Sequence, residues 1–495
     1  MDLDAYRRRA ETFSSELTAT YYRHYAGLDP EFELEPIYAR HAELFTRDAV
    51  QTLQELAGAA PSGTDQHRQR RILLDFALDG YIGQLSKGIE EQLAGREVAL
   101  SLDVDGERIG LRESSAVQAN EPDAARREAI ERERLRLTET ELGDLHRQLI
   151  ECQQTTAREL GYASYRAMCT ESKGIDLTGL QTQTAAFSAA TDASYAAVLD
   201  PELRRTIGIG IGELRRSDLP RFFRAPSEDR WFPEAQLVPS LIETMRGLGI
   251  DPDAQTGVVF DLESRPNKTP RAFCAAVVIP GEVYLVLTPI GGREDFSILF
   301  HEAGHVEHFA HVDPELAFEF RYFGDNAVTE TFAFLFQHLV ENPAWLARRL
   351  GIADSTQLAA YARASRLVYL RRYAAKLAYE LELHGGERSL EQMRGRYSDL
   401  LGSALGVGWS GETYLSDVDP GFYCAAYLRA WALEAHLRAY LLSRFGETWF
   451  EVREAGDLLR GLWRDGMRLN AEELLGELTG DRLDFRNLLT DLALA

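Results

Sequence analysis

The sequence predicts a mainly α-helical protein with a small β element. Apolar residues recur with helical spacing through residues 1–93, 124–214 and from 295 onward. Two segments break this pattern: residues 98–112 alternate with a period of two about the turn dipeptide Asp105-Gly106, and residues 258–287 contain two β-rich runs. A chain of 495 residues, 45% of them hydrophobic, is long and apolar enough to bury a large core.

The first half of the chain is predicted to be helical apart from one hairpin. Two helices flank residues 27–30 in the first 60 residues, and a third runs from 65 to 93. A hairpin follows, then a polar loop over 114–123 and helices from 124 to about 214. Residues 218–233 carry three prolines and predict a loop. This loop suggests two lobes, residues 1–220 and 221–495.

The second half is predicted to place strands directly before a helix. The runs Phe273 to Ile279 and Val283 to Leu287 are β-rich and are joined by the turn dipeptide Pro280-Gly281. Helical periodicity resumes at Asp295, which is a suitable N-cap residue. A strand pair therefore leads into a helix that begins near residue 295.

Composition excludes several classes of partner. The 54 basic and 78 acidic residues leave a net charge of −24, which repels a phosphate backbone, so nucleic acid is not expected as a partner. Apolar runs are far shorter than the roughly 20 residues of a membrane helix, and the N-terminus lacks the pattern of a secretory signal. Four scattered cysteines, without paired spacing, favour a reducing cytoplasm.

The most informative motif is H-E-x-x-H in the helix that follows the strands. His301 and His305 are four residues apart, so they lie about 40° from each other around a helix and one turn along it. Two imidazoles in this arrangement can bind one zinc ion, and Glu302 beside them can accept a proton from water held by the metal.

A catalytic zinc site usually has a third protein ligand, for which Glu330 is the leading candidate. It lies 25 residues after His305 in a second predicted helix, where it is surrounded by Val328, Phe332 and other apolar residues. A carboxylate among apolar side chains is costly to bury without a cation. His301, His305 and Glu330 are therefore predicted to bind one Zn²⁺ ion per chain.

The motif and its surroundings resemble the M3 family of zinc metallopeptidases, the group of thimet oligopeptidase and oligoendopeptidase F. The likeness rests on residues 261–265, the strand pair, the H-E-A-G-H helix with His308, and Glu330. The segments 160–165 and 422–427 are also similar to family patterns, and the resemblance covers about residues 155 to 450.

The resemblance implies a two-lobed, mostly helical peptidase of the neurolysin type with a deep channel for short unfolded peptides. Residues 1–220 would form the N-terminal lobe and 221–495 the catalytic lobe. Glu302 would be the general base, and Tyr423 and Tyr427 would donate hydrogen bonds to the oxyanion. The strand over 273–279 would offer an edge for an extended peptide. The oligomeric state is not predicted.

Two positions depart from the family pattern, and two other functions remain open. Asp417 stands where a histidine is usual in the family, and Gln337 stands where an acidic residue is common. A zinc carboxypeptidase of the related M32 type also combines H-E-x-x-H with a downstream glutamate. The remaining alternative is a peptide-binding helical scaffold without turnover.

Overall fold

A computed structural model describes residues 1–269 and 271–492. Within these residues the chain forms 21 α-helices and five β-strands. In chain order they are α1 (Leu3–Tyr25), α2 (Glu35–Arg40), α3 (Arg47–Gly58), α4 (Asp65–Ala99), β1 (Ser101–Val104), β2 (Glu107–Gly110), α5 (Ser114–Asn120), α6 (Ala124–Leu137), α7 (Gly143–Glu159), α8 (Tyr165–Lys173), α9 (Leu177–Thr206), α10 (Leu219–Arg224), α11 (Glu234–Gly247), β3 (Val258–Asp261), β4 (Phe273–Val278), β5 (Glu282–Val286), α12 (Arg293–Ala310), α13 (Phe318–Tyr322), α14 (Asn326–Leu339), α15 (Pro343–Leu350), α16 (Thr356–Leu383), α17 (Leu390–Leu405), α18 (Tyr423–Phe445), α19 (Arg453–Arg464), α20 (Ala471–Thr479) and α21 (Arg486–Asp491). The predicted mainly α-helical class is confirmed.

The chain divides into two compact units, each built from separated segments. Unit 1 comprises residues 1–78, 228–359 and 429–488, and unit 2 comprises 79–227, 360–428 and 489–495. The prediction instead divided the chain into two consecutive lobes, 1–220 and 221–495. The proline-rich segment does lie at one boundary between the units. Each unit includes segments from late in the chain, because their apolar faces pack on earlier segments of the same unit. A local sequence pattern does not reveal this packing.

Unit 1 contains a three-stranded sheet beside the helices that carry the predicted metal ligands. The strand order is β3-β5-β4, with β3 parallel and β4 antiparallel to β5. The predicted strand pair is confirmed, whereas β3 was not predicted as a separate strand. α12 packs against β4, β5 and α14 and buries Phe296, Leu299 and Phe300. In consequence, the H-E-x-x-H helix is held between the sheet and α14.

Unit 2 contains the predicted hairpin and a core of long helices. β1 and β2 pair in antiparallel fashion, with Val104 opposite Glu107, which confirms the turn at Asp105-Gly106. Leu102 and Ile109 of the hairpin pack with Ile130 of α6. A second core gathers side chains of α16 and α17 together with Tyr414 and Leu415.

Two segments predicted as loops are partly helical. The predicted polar loop over 114–123 contains α5, whose buried Gln118 donates from Nε2 to the carbonyl oxygen of Ser217, 3.0 Å away. The predicted proline-rich loop over 218–233 contains α10, whose Pro220 lies in the first turn, where a missing N–H costs no helical hydrogen bond. No described helix combines the length and the apolar character needed to cross a bilayer.

Candidate metal centre

α12 begins two residues before the predicted N-cap. Gly292 is the N-cap residue, with a positive φ of 92°, and the Arg293 N–H donates to Oδ1 of Asp229 at 3.0 Å. Asp295 lies in the first turn, where its Oδ2 accepts hydrogen bonds from the N–H groups of Ile290 and Gly291 at 2.9 and 2.8 Å. The prediction of Asp295 as N-cap was wrong, because its carboxylate satisfies the preceding loop instead of the helix.

His301, His305 and Glu330 converge in unit 1. The two imidazole centroids are 4.9 Å apart, and Oε2 of Glu330 lies 3.4 Å from Nε2 of His301 and 3.7 Å from Nε2 of His305. Donor atoms that share a tetrahedral zinc ion at about 2.1 Å are roughly 3.4 Å apart. The three side chains therefore fit the predicted ligand set of one zinc ion.

The convergence depends on a close approach of α12 and α14 at Gly304. A Cβ atom added to Gly304 would lie 2.4 Å from the carbonyl oxygen of Phe332 and 2.6 Å from Cα of Ala333. Only glycine leaves room for two helix backbones at this separation. The glycine inside H-E-A-G-H thus brings the two histidines of α12 within reach of Glu330 on α14.

Neighbouring side chains orient both imidazoles. Nδ1 of His301 lies 2.9 Å from Oε1 of Gln337, whose Nε2 donates to Oγ of Ser297 at 2.9 Å. Nδ1 of His305 lies 2.8 Å from Oγ1 of Thr329. An amide oxygen only accepts, so His301 donates from Nδ1, and Nε2 is the ring nitrogen that faces Glu330. The sequence did not predict these orienting contacts of Gln337 and Thr329.

The electrostatics of the cluster indicate a need for positive charge. Burial disfavours protonation of His301, yet the hydrogen bond and charge of Glu330 outweigh it and raise the pKa of His301. Burial lowers the pKa of His305 to about 4. Only one of the two imidazoles is thus disposed to carry a proton beside the buried Glu330 carboxylate. A divalent cation would supply the compensating charge to all three side chains at once.

Glu302 contacts the edge strand of the sheet. Its Oε2 accepts a hydrogen bond from the backbone N–H of Cys274 in β4 at 2.9 Å. Burial raises the pKa of Glu302, an effect that the positive charge of His301 and this hydrogen bond partly oppose. A carboxylate with a raised pKa is a stronger proton acceptor near neutral pH.

Tyr423 and Tyr427 belong to unit 2, at the start of α18. Their ring centroids are 5.0 Å apart in an edge-to-face arrangement, and Tyr427 makes a similar contact with Tyr373 at 5.6 Å. One helical turn separates the two tyrosines, as the sequence predicts. Their assignment as oxyanion donors stays a prediction.

Asp417 is an anchored ionic side chain in unit 2. Both of its carboxylate oxygens lie 2.9 Å from Nη2 of Arg372, and Oδ1 lies 3.2 Å from Nζ of Lys376. Tyr397 donates its hydroxyl to Oδ2 at 2.6 Å. Burial acts to raise the pKa of Asp417, but the two cations prevail and lower it. Asp417 is therefore an ionised structural residue.

A second group of metal-type side chains was not predicted. Glu380, Asp419 and Cys424 of unit 2 place one ligand atom each within 4.8 Å of the others. Nζ of Lys376 lies 2.6 Å from Oδ1 of Asp419 and 3.9 Å from Oε1 of Glu380. An ammonium group thus already supplies the positive charge that a metal ion would bring.

Comparison with known proteins finds a similarity of fold. No family model and no curated protein sequence matches the chain. Among solved structures, the chain is similar to that of a proposed oligoendopeptidase F from Bacillus anthracis strain Ames. The TM-score is 0.66, with 13% identity, over 98% of this chain and 88% of that chain. The predicted resemblance is thereby confirmed at the level of the fold, and the chain has the mainly α-helical fold of this oligoendopeptidase F structure.

Proposed function

We propose that this chain is a zinc-dependent peptidase that hydrolyses peptide bonds in short unfolded peptides. The observation that carries the proposal is the convergence of His301, His305 and Glu330, with Glu302 next to the first histidine. The fold, which is similar to that of an oligoendopeptidase F, supports the same assignment. The three ligands would hold one Zn²⁺ ion per chain and leave its remaining coordination open to water and substrate.

Glu302 is the proposed general base. When bound, zinc supplies Lewis acidity, which makes a water molecule more acidic and polarises the scissile carbonyl. Glu302 accepts the proton of that water, and the Cys274 N–H holds Oε2 in place. The same carboxyl group can then deliver the proton to the leaving amine. Burial in a site of low polarity keeps Glu302 basic enough for this exchange.

The edge of β4 is the proposed binding site for the substrate backbone. β4 pairs on one side with β5 and is an edge strand of the sheet. The Cys274 N–H is directed at Glu302, so the backbone of Ala276, two residues further, has the same orientation away from β5. An extended peptide that pairs with this edge would pass beside Glu302.

Tyr423 and Tyr427 are the proposed hydrogen-bond donors to the oxyanion, on the strength of the family resemblance and their spacing on α18. A phenol donates without losing its proton at neutral pH, as this role requires.

We further propose a cytoplasmic location, because none of the four cysteines forms a disulfide.

The function is tested by metal analysis and peptide digestion with matched variants. We expect about one zinc per chain, and cleavage of a quenched peptide with blocked ends that a chelator abolishes and zinc restores. Glu302→Gln should retain zinc and lose a factor of roughly 10² to 10⁴ in kcat. Glu294→Gln makes the same change at an exposed position of α12 and should leave kcat unaltered.

The digestion products also decide between the proposal and its alternatives. Internal cuts in the blocked peptide support an oligopeptidase. Release of the C-terminal residue alone, from unblocked peptides, would instead identify a carboxypeptidase of the M32 type. A zinc-loaded protein that binds peptides but cleaves none would identify a scaffold and contradict the proposal.

A further inference from the structure

In unit 2, one face of α16 is bonded to the segment that precedes α18. Arg372, Lys376 and Glu380 follow one another at intervals of four residues, so their side chains lie on one face of the helix. Nζ of Lys376 donates to Oδ1 of Asp419 at 2.6 Å, and Oε1 of Glu380 accepts a hydrogen bond from the backbone N–H of Asp419 at 2.8 Å. We define the anchor network as Arg372, Lys376, Glu380, Asp417 and Asp419. It joins α16 to the chain a few positions before α18 begins.

The anchor network also reaches the first turn of α18. Sγ of Cys424 lies 3.1 Å from Oε2 of Glu380, so one carboxyl group contacts both the segment before α18 and the helix itself. Only 4% of the Lys376 surface and none of the Glu380 surface is exposed. Charged groups buried in this way favour a single arrangement, because other arrangements leave a buried charge unpaired. The start of α18 is therefore fixed relative to α16.

The backbone just before Tyr423 is held in an unusual conformation. Gly421 and Phe422 have φ angles of +60° and +58°, in the left-handed region that residues other than glycine seldom occupy. The Gly421 N–H donates to the hydroxyl oxygen of Tyr165 at 3.1 Å, and the buried Phe422 ring lies 5.5 Å from that of His384. Such strain persists only where the surroundings impose it, and it is commonly found at functional sites. Several independent contacts thus set the direction in which α18 begins.

Tyr427 is held from the same helix by an aromatic contact. The Tyr427 ring lies 5.6 Å from that of Tyr373, the residue that follows Arg372 in α16. The guanidinium carbon of Arg372 lies 5.7 Å, and Nζ of Lys376 6.0 Å, from the centroid of the Tyr373 ring. Cations at this distance from a ring face are attracted to it. The anchor network therefore acts on Tyr423 through the backbone and on Tyr427 through Tyr373.

We propose that Lys376 is a positioning residue for Tyr423 and Tyr427. Through the anchor network it holds the start of α18 so that the two hydroxyl groups are preorganised to donate hydrogen bonds to the oxyanion. This inference rests on the proposed peptidase function and adds to it a residue that acts only through the two tyrosines. A donor that is already in place stabilises the oxyanion without reorganisation during the reaction, so loosening it lowers kcat and leaves KM almost unchanged.

The test combines substitution of Lys376 with removal of the two hydroxyl groups. Lys376→Met removes the ammonium group and keeps an unbranched side chain. We expect kcat for a quenched peptide to fall at least about 10-fold while KM stays within about 2-fold, and zinc affinity in chelator competition should not change. Lys376→Arg retains the charge and should restore most of the activity. In the double variant Tyr423→Phe, Tyr427→Phe, adding Lys376→Met should have no further effect on kcat.

Two further variants accompany this comparison. Arg371→Met is the control, since Arg371 is a similarly buried cation of α16 that donates from Nε to the carbonyl oxygen of Ala404 at 2.6 Å, outside the anchor network. It should keep the wild-type kcat. Asp419→Ala breaks the ion pair with Lys376 from the other side and serves if Lys376→Met does not fold. It should lower kcat in the same way, and an unaltered kcat would contradict the positioning role.

The outcomes separate the positioning role from the peptidase function. Wild-type kcat in a folded Lys376→Met protein, or an equal loss with and without the two hydroxyl groups, would overturn the positioning role and leave the peptidase function standing. Full activity of the double variant Tyr423→Phe, Tyr427→Phe would do the same, because Lys376 would have no donors to position. Absence of any chelator-sensitive cleavage by the wild-type protein would refute both.

Discussion

Replacing Gly304 by alanine tests whether the candidate metal centre depends on the close approach of α12 and α14. The new Cβ atom would lie 2.4 Å from the carbonyl oxygen of Phe332, whereas real Cβ atoms essentially never come within 3.0 Å of another heavy atom. The two backbones must therefore move apart by at least 0.6 Å, the difference between these distances. The clashing atoms belong to the backbone of α14, so no side-chain rotation relieves them.

This displacement is large for a metal site. Metal–ligand distances are satisfied within about 0.2 Å, while His301 and His305 lie on one helix and Glu330 on the other. We expect the metal dissociation constant to rise at least about 10-fold, which corresponds to about 1.4 kcal/mol. Overpacking should also destabilise the metal-free fold by about 1–3 kcal/mol, less the roughly 1 kcal/mol that alanine gains over glycine in a helix.

The assay is competition for zinc against a chromogenic chelator, together with urea unfolding of the metal-free protein. Gly461→Ala is the control, because Gly461 lies inside α19 and a Cβ atom there meets nothing within 4 Å. That variant should bind zinc normally and gain about 0.5–1 kcal/mol of stability. Wild-type zinc affinity in Gly304→Ala would refute the view that this helix contact sets the ligand geometry.

Three further substitutions probe the surroundings of the metal centre. Gln337→Met removes the acceptor for Nδ1 of His301 and should weaken zinc binding about 10- to 100-fold by chelator competition; unchanged affinity would contradict an orienting role. Burial raises the pKa of Glu307 from 4.5 to about 8, so the native state retains a proton that the unfolded chain loses, and wild-type stability falls as pH rises through this range. In urea unfolding, Glu307→Gln should therefore be up to about 5 kcal/mol more stable than the wild type at pH 8 and equally stable at pH 4. A stability difference between the two proteins that does not change with pH would contradict this reasoning. Arg429→Met leaves the Asp325 carboxylate, whose side chain is only 6% exposed, without its bidentate partner and should cost about 3–5 kcal/mol. Adding Asp325→Asn should recover most of this loss, whereas losses that simply add in the double variant would contradict the pairing.

The three predicted ligands differ in whether neighbouring residues or tertiary packing bring them together. His301 and His305 meet because four residues make about one helical turn, and any helix through this sequence brings them together. Glu330 joins them only because α14 packs on α12, so its assignment needed a chemical argument about a buried carboxylate and the family resemblance. The contacts of Gln337 and Thr329 follow from the same packing, and no spacing rule predicts them.

The incorrect predictions have physical reasons of the same kind. The segment 114–120 has a polar composition but is helical, because its buried Gln118 finds a partner in Ser217, about a hundred residues away. Asp295 has the chemistry of an N-cap residue, yet its carboxylate accepts a hydrogen bond from the N–H of Gly291 in the preceding loop. The first N–H of α12, that of Arg293, donates instead to the Asp229 carboxylate. Local preference was outweighed in each case by a hydrogen-bond partner distant in the chain.

The sequence by itself determined the mainly helical class, the positions of the hairpins β1–β2 and β4–β5, and the pairing of His301 with His305, because each depends on residues within a few positions of one another. The tertiary structure alone decided the discontinuous units, the approach of α12 and α14 at Gly304, and the hydrogen bond from β4 to Glu302. These features depend on which apolar faces bury each other across long stretches of chain. Such burial is a property of the whole fold, and local periodicity cannot specify it.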